Sequence, residues 1–214
     1  MKVLSLGAGV QSSTLLLMAL AGEFDAPPDV AIFADTQDEP DGVYAQLKYL
    51  REQAGDFPIH TVTKGKLSDS VLHLVDRFIS IPTFGSRGGM GRRQCTREFK
   101  ITPITKKCRE LLGAKKYQRL PIGSIEMWIG ISLDEVQRMK DNRERWITNR
   151  WPLIEKRMTR YDCLRWLESH GHPTPPKSAC VFCPFHNNKT WQMMKTKMPS
   201  EFNKAVALDS ELNK

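Results

Sequence analysis

The first fifteen residues constrain this chain more than any other stretch. Lys2-Val3-Leu4-Ser5-Leu6 is a short apolar run, Gly7-Ala8-Gly9 a turn of small residues, and Ser12-Ser13 opens a second apolar run through Leu15, Leu16, Leu17, Met18 and Leu20. That order predicts strand, tight turn and helix. Such a turn presents backbone N–H groups at a helix N-terminus, where the dipole favours an anion, and small residues let a phosphate come close. The expected ligand is a nucleotide phosphate held by Gly7, Ala8, Gly9, Gln11, Ser12 and Ser13. The plainer reading is an ordinary strand–helix turn with Ser12 or Ser13 as N-cap. The loop has neither the Lys of G-x-x-x-x-G-K-[ST] nor the third glycine of G-x-G-x-x-G.

Further along, Val30-Ala31-Ile32-Phe33-Ala34 ends at Asp35-Thr36 and reads as a buried parallel strand. Val43, Leu47, Leu50 and Ala54 recur at helical spacing over 41–55, and Ile59 to Val62 reads as a third strand. Ile101 to Leu112 predicts a helix with Pro103 in its first turn. Met127 to Ile131 is another buried strand, running into Ser132-Leu133-Asp134-Glu135 and a helix. Thr159 caps a helix carrying Cys163, Leu164 and Leu167, and helices over about 187–196 and 199–211 close the chain. Strands alternating with helices imply a doubly wound, Rossmann-like α/β sheet with ligands at the carboxyl ends of its strands. The expected division is a nucleotide-binding domain over 1–150 and a small helical, cysteine-containing extension over 151–214. Residues 80–94, rich in glycine and arginine, read either as a lid over substrate or as a plain connection.

The chain of 214 residues suffices for one sizeable core, and 32 Lys and Arg against 24 Asp and Glu give a formal charge of +8. Much of that charge is local. Arg87, Arg92, Arg93, Arg97 and Lys100 form one basic cluster, and Arg138, Lys140, Arg143, Arg145, Arg150, Lys156, Arg157 and Arg160 another. A polyanionic partner or multiply charged nucleotide accounts for them, and so does a solvated basic face. No run approaches the roughly 18 apolar residues of a membrane span. The opening strand is not a signal peptide, so a cytoplasmic protein with no membrane association is expected.

The five cysteines are Cys95, Cys108, Cys163, Cys180 and Cys183. An odd count without a leader argues for metal or redox chemistry over a disulfide framework. Cys180-x-x-Cys183, bounded by prolines, lets two thiolates reach one metal, with Cys95 between Arg93 and Arg97 as the best third ligand. The pair also reads as two inert buried thiols. Cys108 falls in an apolar helical pattern as a core residue, and Cys163 is either a fourth ligand or another buried thiol.

In order, these motifs resemble the PP-loop ATP pyrophosphatase, or adenine nucleotide alpha hydrolase, superfamily, in the branch named for phosphoadenosine phosphosulfate (PAPS) reductases. The resemblance covers nearly the whole chain. Gly7-Ala8-Gly9-Val10-Gln11-Ser12-Ser13 is similar to the family's Ser-Gly-Gly-x-Asp-Ser-Ser, and Phe33-Ala34-Asp35-Thr36 to its second-strand end. Cys95 through Lys100 to Pro103-Ile104 resembles its Cys…Lys…Pro-Leu segment. Gly130-Ile131-Ser132-x-x-Glu135-x-x-Arg138 resembles its Gly-Ile-Arg-x-x-Glu-Ser-x-x-Arg, and Pro152-Leu153…Asp162-Cys163 its Pro-Leu…Asp-Val. The departures are Gly7 for serine, Thr96 for a second cysteine, and Gln11 for aspartate. Gln11 removes a negative charge beside the phosphates, and either alters metal use or keeps the loop by hydrogen bonding. The Glu-Cys-Gly-x-His segment that supplies the reductases' nucleophile is absent from these residues.

The resemblance implies an enzyme that binds ATP or a PAPS-like adenine nucleotide with Mg2+. It would cleave at the alpha phosphate to adenylate an acceptor, and support sulfur transfer. Ser12, Ser13, Lys100 and Arg97 would carry catalysis, while Asp35, Thr36, Gly130 and Arg138 would complete the nucleotide site. Asp35 alternatively caps its own turn, and Lys100, Arg97 and Arg138 alternatively sit solvated. Cys95, Cys180 and Cys183 would hold a 4Fe–4S cluster, closed if Cys163 is the fourth ligand, with zinc as the rival metal. Implied partners are a nucleic-acid substrate and a sulfur-donor protein. Two other functions stay open: reduction of PAPS or its relatives, and a non-catalytic, nucleotide-dependent nucleic-acid-binding module.

Overall fold

The structure is a computed structural model that describes residues 1–72, 81–82, 89–90 and 93–212. Most of the expected lid over 80–94, with Arg87 and Arg92, lies outside the described residues. The chain divides into two units: Met1–Ala34, Asp41–Val62 and Ile104–Ser178 form the first, and Asp35–Pro40, Thr63–Pro103 and Ala179–Lys214 the second.

The first unit is organised by a five-stranded parallel sheet of β1 (Lys2–Leu6), β2 (Val30–Asp35), β3 (Ile59–Thr63), β4 (Ile125–Ile129) and β5 (Ile147–Arg150), in the order β3-β2-β1-β4-β5. β1 pairs with both β2 and β4, placing Val3 beside Val30 and Met127, and β4 pairs with β5. Side chains alternate across a strand, so each apolar run supplies both faces. Leu4, Leu6, Ala31, Phe33 and Trp128 enter one core with α1 (Val10–Leu20), α2 (Asp41–Ala54), α5 (Pro152–Glu155) and α6 (Arg160–Ser169). Val3, Val30, Ile32, Ala34, Ile125 and Met127 enter the opposite core, where α4 (Thr102–Leu111) brings Ile104 and Cys108. The fold is the doubly wound α/β arrangement the alternating strands and helices imply. Successive strands leave β1 in opposite directions, towards β2 on one side and β4 on the other. The crevice beyond the carboxyl ends of β1 and β4 is the topological switch point, the usual ligand position in such sheets.

The second unit has its own core of Leu67, Ile81, Phe99, Cys180, Val181, Phe182, Met194, Ala205 and Leu208. Its elements are the short α3 (Asp69–Leu72), a π-helical turn over Thr96–Ile101, α7 (Asn188–Lys197) and α8 (Pro199–Leu212). Asn187 caps α7 by accepting the Thr190 N–H at 2.9 Å, and Pro199 opens α8, where its missing N–H costs nothing.

The helix expected over 101–112 is present as α4 with an added turn before it, and two other local expectations differ from the structure. The added turn is the π-helical one, which widens the ladder just where Pro103 has no N–H to give. After β4 the chain forms a 3-10 turn over Leu133–Arg138, kinked at Glu135, in place of an α-helix. The N-cap of α1 is Gly9; neither serine caps it. Among the described residues no helix is long and apolar enough to cross a membrane.

Candidate functional site

In the first unit, the turn from β1 into α1 is built by its own small residues. The Gly7 N–H donates to Ser12 Oγ at 3.1 Å, and Ser12 Oγ donates to the Gly9 carbonyl at 3.3 Å. Ala8, fully buried, sits at φ 53°, a left-handed conformation that costs a residue with a Cβ about 1–2 kcal/mol. The helix ladder begins with Ser13 N–H on the Gly9 carbonyl at 2.9 Å. The N–H groups of Val10, Gln11 and Ser12 therefore have no partner in the helix, which leaves the positive end of α1 at the switch point. Ser13 Oγ is buried and has no hydrogen-bond partner among the described residues.

Gly130, the first residue after β4, lies against this turn. A Cβ there would stand 2.8 Å from Ser12 N, 3.0 Å from Ser12 Cα and 3.1 Å from the Gln11 carbonyl carbon. Only glycine leaves the first turn of α1 where it is. On the other side, a Cβ on Gly9 would meet Ser178 Cβ at 3.3 Å.

Gln11 points its amide into a polar group at the mouth of the turn. Its Nε2 donates to Ser132 Oγ at 3.3 Å and to Glu135 Oε2 at 3.1 Å, and its Oε1 accepts from Arg160 Nη1 at 2.8 Å. Arg138 pairs with Glu135 at 2.7 Å. Arg160 is fixed at the start of α6 by a capping box: Asp162 N–H donates to Thr159 Oγ1, and Thr159 N–H donates back to the Asp162 carboxylate at 2.9 Å. The Arg160 N–H donates to Asp134 at 2.9 Å. The Ser132 hydroxyl, outweighing some burial, and this N–H hold Asp134 below the usual carboxylate range. Sequence reading counted Arg160 only among a row of basic residues; the Thr159-x-x-Asp162 box was the signal for its position.

The second unit gathers Thr36, Glu39, Lys100 and Cys180. Lys100 Nζ donates to Glu39 Oε1 at 2.7 Å, and Thr36 Oγ1 lies 3.4 Å from that oxygen and 3.3 Å from Cys180 Sγ. The Glu39 side chain is 1% exposed, and its Oε2 has no hydrogen-bond partner among the described residues. Burial works against the Lys100 ammonium, yet Glu39 and the neighbouring Cys180 more than offset it and hold its pKa above the ordinary value. Burial, reinforced by Glu39, pushes the Cys180 thiol up to about 12 against the pull of Lys100. Sequence reading missed Glu39, which no motif marked. Asp35 accepts the Gln37 N–H at 2.7 Å, and Arg97 is exposed on the π-helical turn.

The remaining cysteines divide by surroundings. Cys95 and Cys183 are partly exposed, and Cys95 packs on the second core. Cys183 N–H donates to the Cys180 carbonyl at 3.0 Å, closing the C-x-x-C turn, and His186 Nε2 donates to the same carbonyl. Cys163 is fully buried in the first unit's core, where burial pushes its thiol up to about 12, and Cys108 in the opposite core behaves alike.

Two metal expectations can be set against these donors. Among the described residues no group of three or more His, Cys, Asp or Glu side chains is placed to hold a metal ion. Cys95, Cys180 and Cys183, as arranged, are not an assembled ligand set for a cluster or zinc. A magnesium ion held by the chain at the α1 turn fits no better. Position 11 is an amide, Glu135 is taken by Arg138 and Gln11, and Asp134 by the Arg160 N–H.

No family model and no curated protein matches the chain. Among solved structures it is similar to the phosphoadenylyl-sulfate (PAPS) reductase from Candida auris, a phosphate complex, at a TM-score of 0.50 and 13% identity, covering 81% of this chain and 74% of that one. It is also similar to the U34-tRNA thiolase NcsA from Methanococcus maripaludis with its 4Fe–4S cluster, at a TM-score of 0.50 and 15% identity, covering 99% and 71%. At such identities the likeness is one of fold. The chain shares with both structures a doubly wound α/β fold built on a parallel sheet.

Proposed function

We infer that this chain is a PP-loop enzyme that binds an adenine nucleotide, ATP in the first instance, at the β1–α1 turn and activates an acceptor by adenylation. The observation that carries this reading is the turn itself: the N–H groups of Val10, Gln11 and Ser12 have no partner in the helix and stand at the switch point, with Gly130 packed against the first turn of α1. In the reaction an acceptor oxygen attacks the alpha phosphorus and forms a new P–O bond. The bond to the bridging oxygen breaks, and pyrophosphate leaves with the electron pair. Fixed N–H donors facing the departing phosphates stabilise the charge that builds there, the arrangement that favours a transition state over its ground state. A sulfur nucleophile then replaces the adenylate, releasing AMP, which is the sulfur-transfer half of the proposal. No step runs through a metal, since the donor set does not fit one.

Nucleic acid is the acceptor class this reading favours. The Arg138, Lys140, Arg143 and Arg145 segment is exposed or half-buried, with Tyr161 exposed beside Arg160. The test is titration of the protein with ATP by calorimetry, followed by assay of AMP and pyrophosphate from alpha-labelled ATP with tRNA, DNA or small acceptors. Binding of ATP with acceptor-dependent AMP is the expected result. Failure of ATP, AMP and PAPS to bind would overturn it, and sulfite release from PAPS without ATP cleavage would replace adenylation by reduction.

A further inference from the structure

We propose that the nucleotide phosphates at the α1 turn are held by the guanidinium group of Arg160, with Arg138 committed to Glu135, so that nucleotide binding by this chain does not require a divalent cation. The inference rests on the proposed nucleotide site and adds how its charge is balanced. A multiply charged triphosphate needs positive charge at the mouth of the turn beyond what a helix end supplies, because a helix end carries only about half an elementary charge. A cation seated on the chain would need a free carboxylate there. The residue in the first turn of α1 is the neutral Gln11, and both nearby acids are engaged, Glu135 by Arg138 at 2.7 Å and Asp134 by the Arg160 N–H at 2.9 Å.

The Arg160 guanidinium stands at the same mouth with a neutral partner. Arg160 reaches Gln11 Oε1 at 2.8 Å with Nη1, and its planar fork carries further N–H donors that suit phosphate oxygens. An arriving phosphate exchanges a neutral amide partner for a charged one, and charge-assisted hydrogen bonds are roughly twice as strong as neutral ones. Gln11 is then a holder: it keeps the Arg160 side chain beside the turn and adds no negative charge. An aspartate at position 11 would instead pair tightly with Arg160 and remove it from the phosphates.

The experiment is ATP binding by calorimetry in EDTA and in magnesium, for the wild type, Arg160→Gln, Arg160→Lys and Gln11→Asp. The wild type should bind in EDTA within about threefold of its affinity in magnesium. Arg160→Gln should lose about tenfold or more in EDTA, the size of one charge-assisted contact, and recover part of it in magnesium. Arg160→Lys should fall between them, since a point charge replaces the fork. Gln11→Asp should make binding magnesium-dependent. The proposal is overturned if wild-type binding collapses in EDTA, or if Arg160→Gln binds like wild type in EDTA. Absence of ATP binding in both buffers would instead overturn the nucleotide site itself.

Discussion

Replacing Gly130 by alanine probes the contact between β4 and the α1 turn without disturbing any charge. Gly130 does not occupy the left-handed region, so an alanine there pays no dihedral penalty and its whole cost is the space its Cβ needs. That Cβ would meet three backbone atoms at 2.8, 3.0 and 3.1 Å, all in the first turn of α1, and none can rotate away. Relief comes only by backing the turn off the strand. Overpacking of this kind costs about 1–3 kcal/mol, which in a domain of this size lowers Tm by roughly 2–12 °C. The same shift takes the Ser12 N–H from its place, and losing one hydrogen bond to a charged group weakens ATP by about 10- to 100-fold. Calorimetric titration with ATP and thermal unfolding read the two effects separately. Gly22→Ala is the control: its φ of +79° makes alanine costly by about 1–2 kcal/mol, but no atom lies within 4 Å of the new Cβ, so stability should fall and ATP affinity should not. A Gly130→Ala protein that binds ATP as wild type does would refute the placement of phosphates at this turn.

Other outcomes follow from the same geometry. Lys100→Met leaves the buried Glu39 carboxylate uncompensated and should cost about 2–3 kcal/mol in urea unfolding, the low end for such pairs because Lys100 is 32% exposed; Lys100→Met with Glu39→Gln should recover most of it. Cys108 and Cys163 keep their protons to about 12 when folded but ionise near 9.0 when unfolded. The folded state thus binds more protons in between, and their stabilisation, complete below pH 9, should fall by roughly 1.4 kcal/mol per thiol per pH unit above it. Cys163→Ala should flatten that slope in urea midpoints measured across the alkaline range. Native alkylation read by mass spectrometry should modify Cys95 and Cys183 before Cys108, Cys163 and Cys180; early labelling of Cys163 would contradict its place in the core. Thr159→Ala should lose about 1 kcal/mol with its capping box and weaken ATP through Arg160, measured by melting and titration.

The sheet was legible because β1, β2 and β4 are buried on both faces and so read as continuous apolar runs. β5 escaped notice: Ile147-Thr148-Asn149-Arg150 is a short edge strand with one buried apolar residue. The glycine turn was readable as a strand-to-helix turn, yet its cap was not, since Ser12 turns its hydroxyl back on Gly7 and Gly9 instead of capping the helix. Cysteine spacing announced that Cys180 and Cys183 share a turn. It could not announce that Cys180 settles beside Thr36, Glu39 and Lys100, because Thr36 and Glu39 lie 144 and 141 residues from it along the chain. Glu39 carried no local pattern at all, and Arg160 was one arginine among many until its partner at position 11 was seen.

The α1 turn hangs between β1 and β4, strands that are each hydrogen-bonded on both sides. Insertions or losses at the outer strands therefore leave the anchoring of the turn intact, so the sheet can vary at its edges while the start of α1 keeps its place.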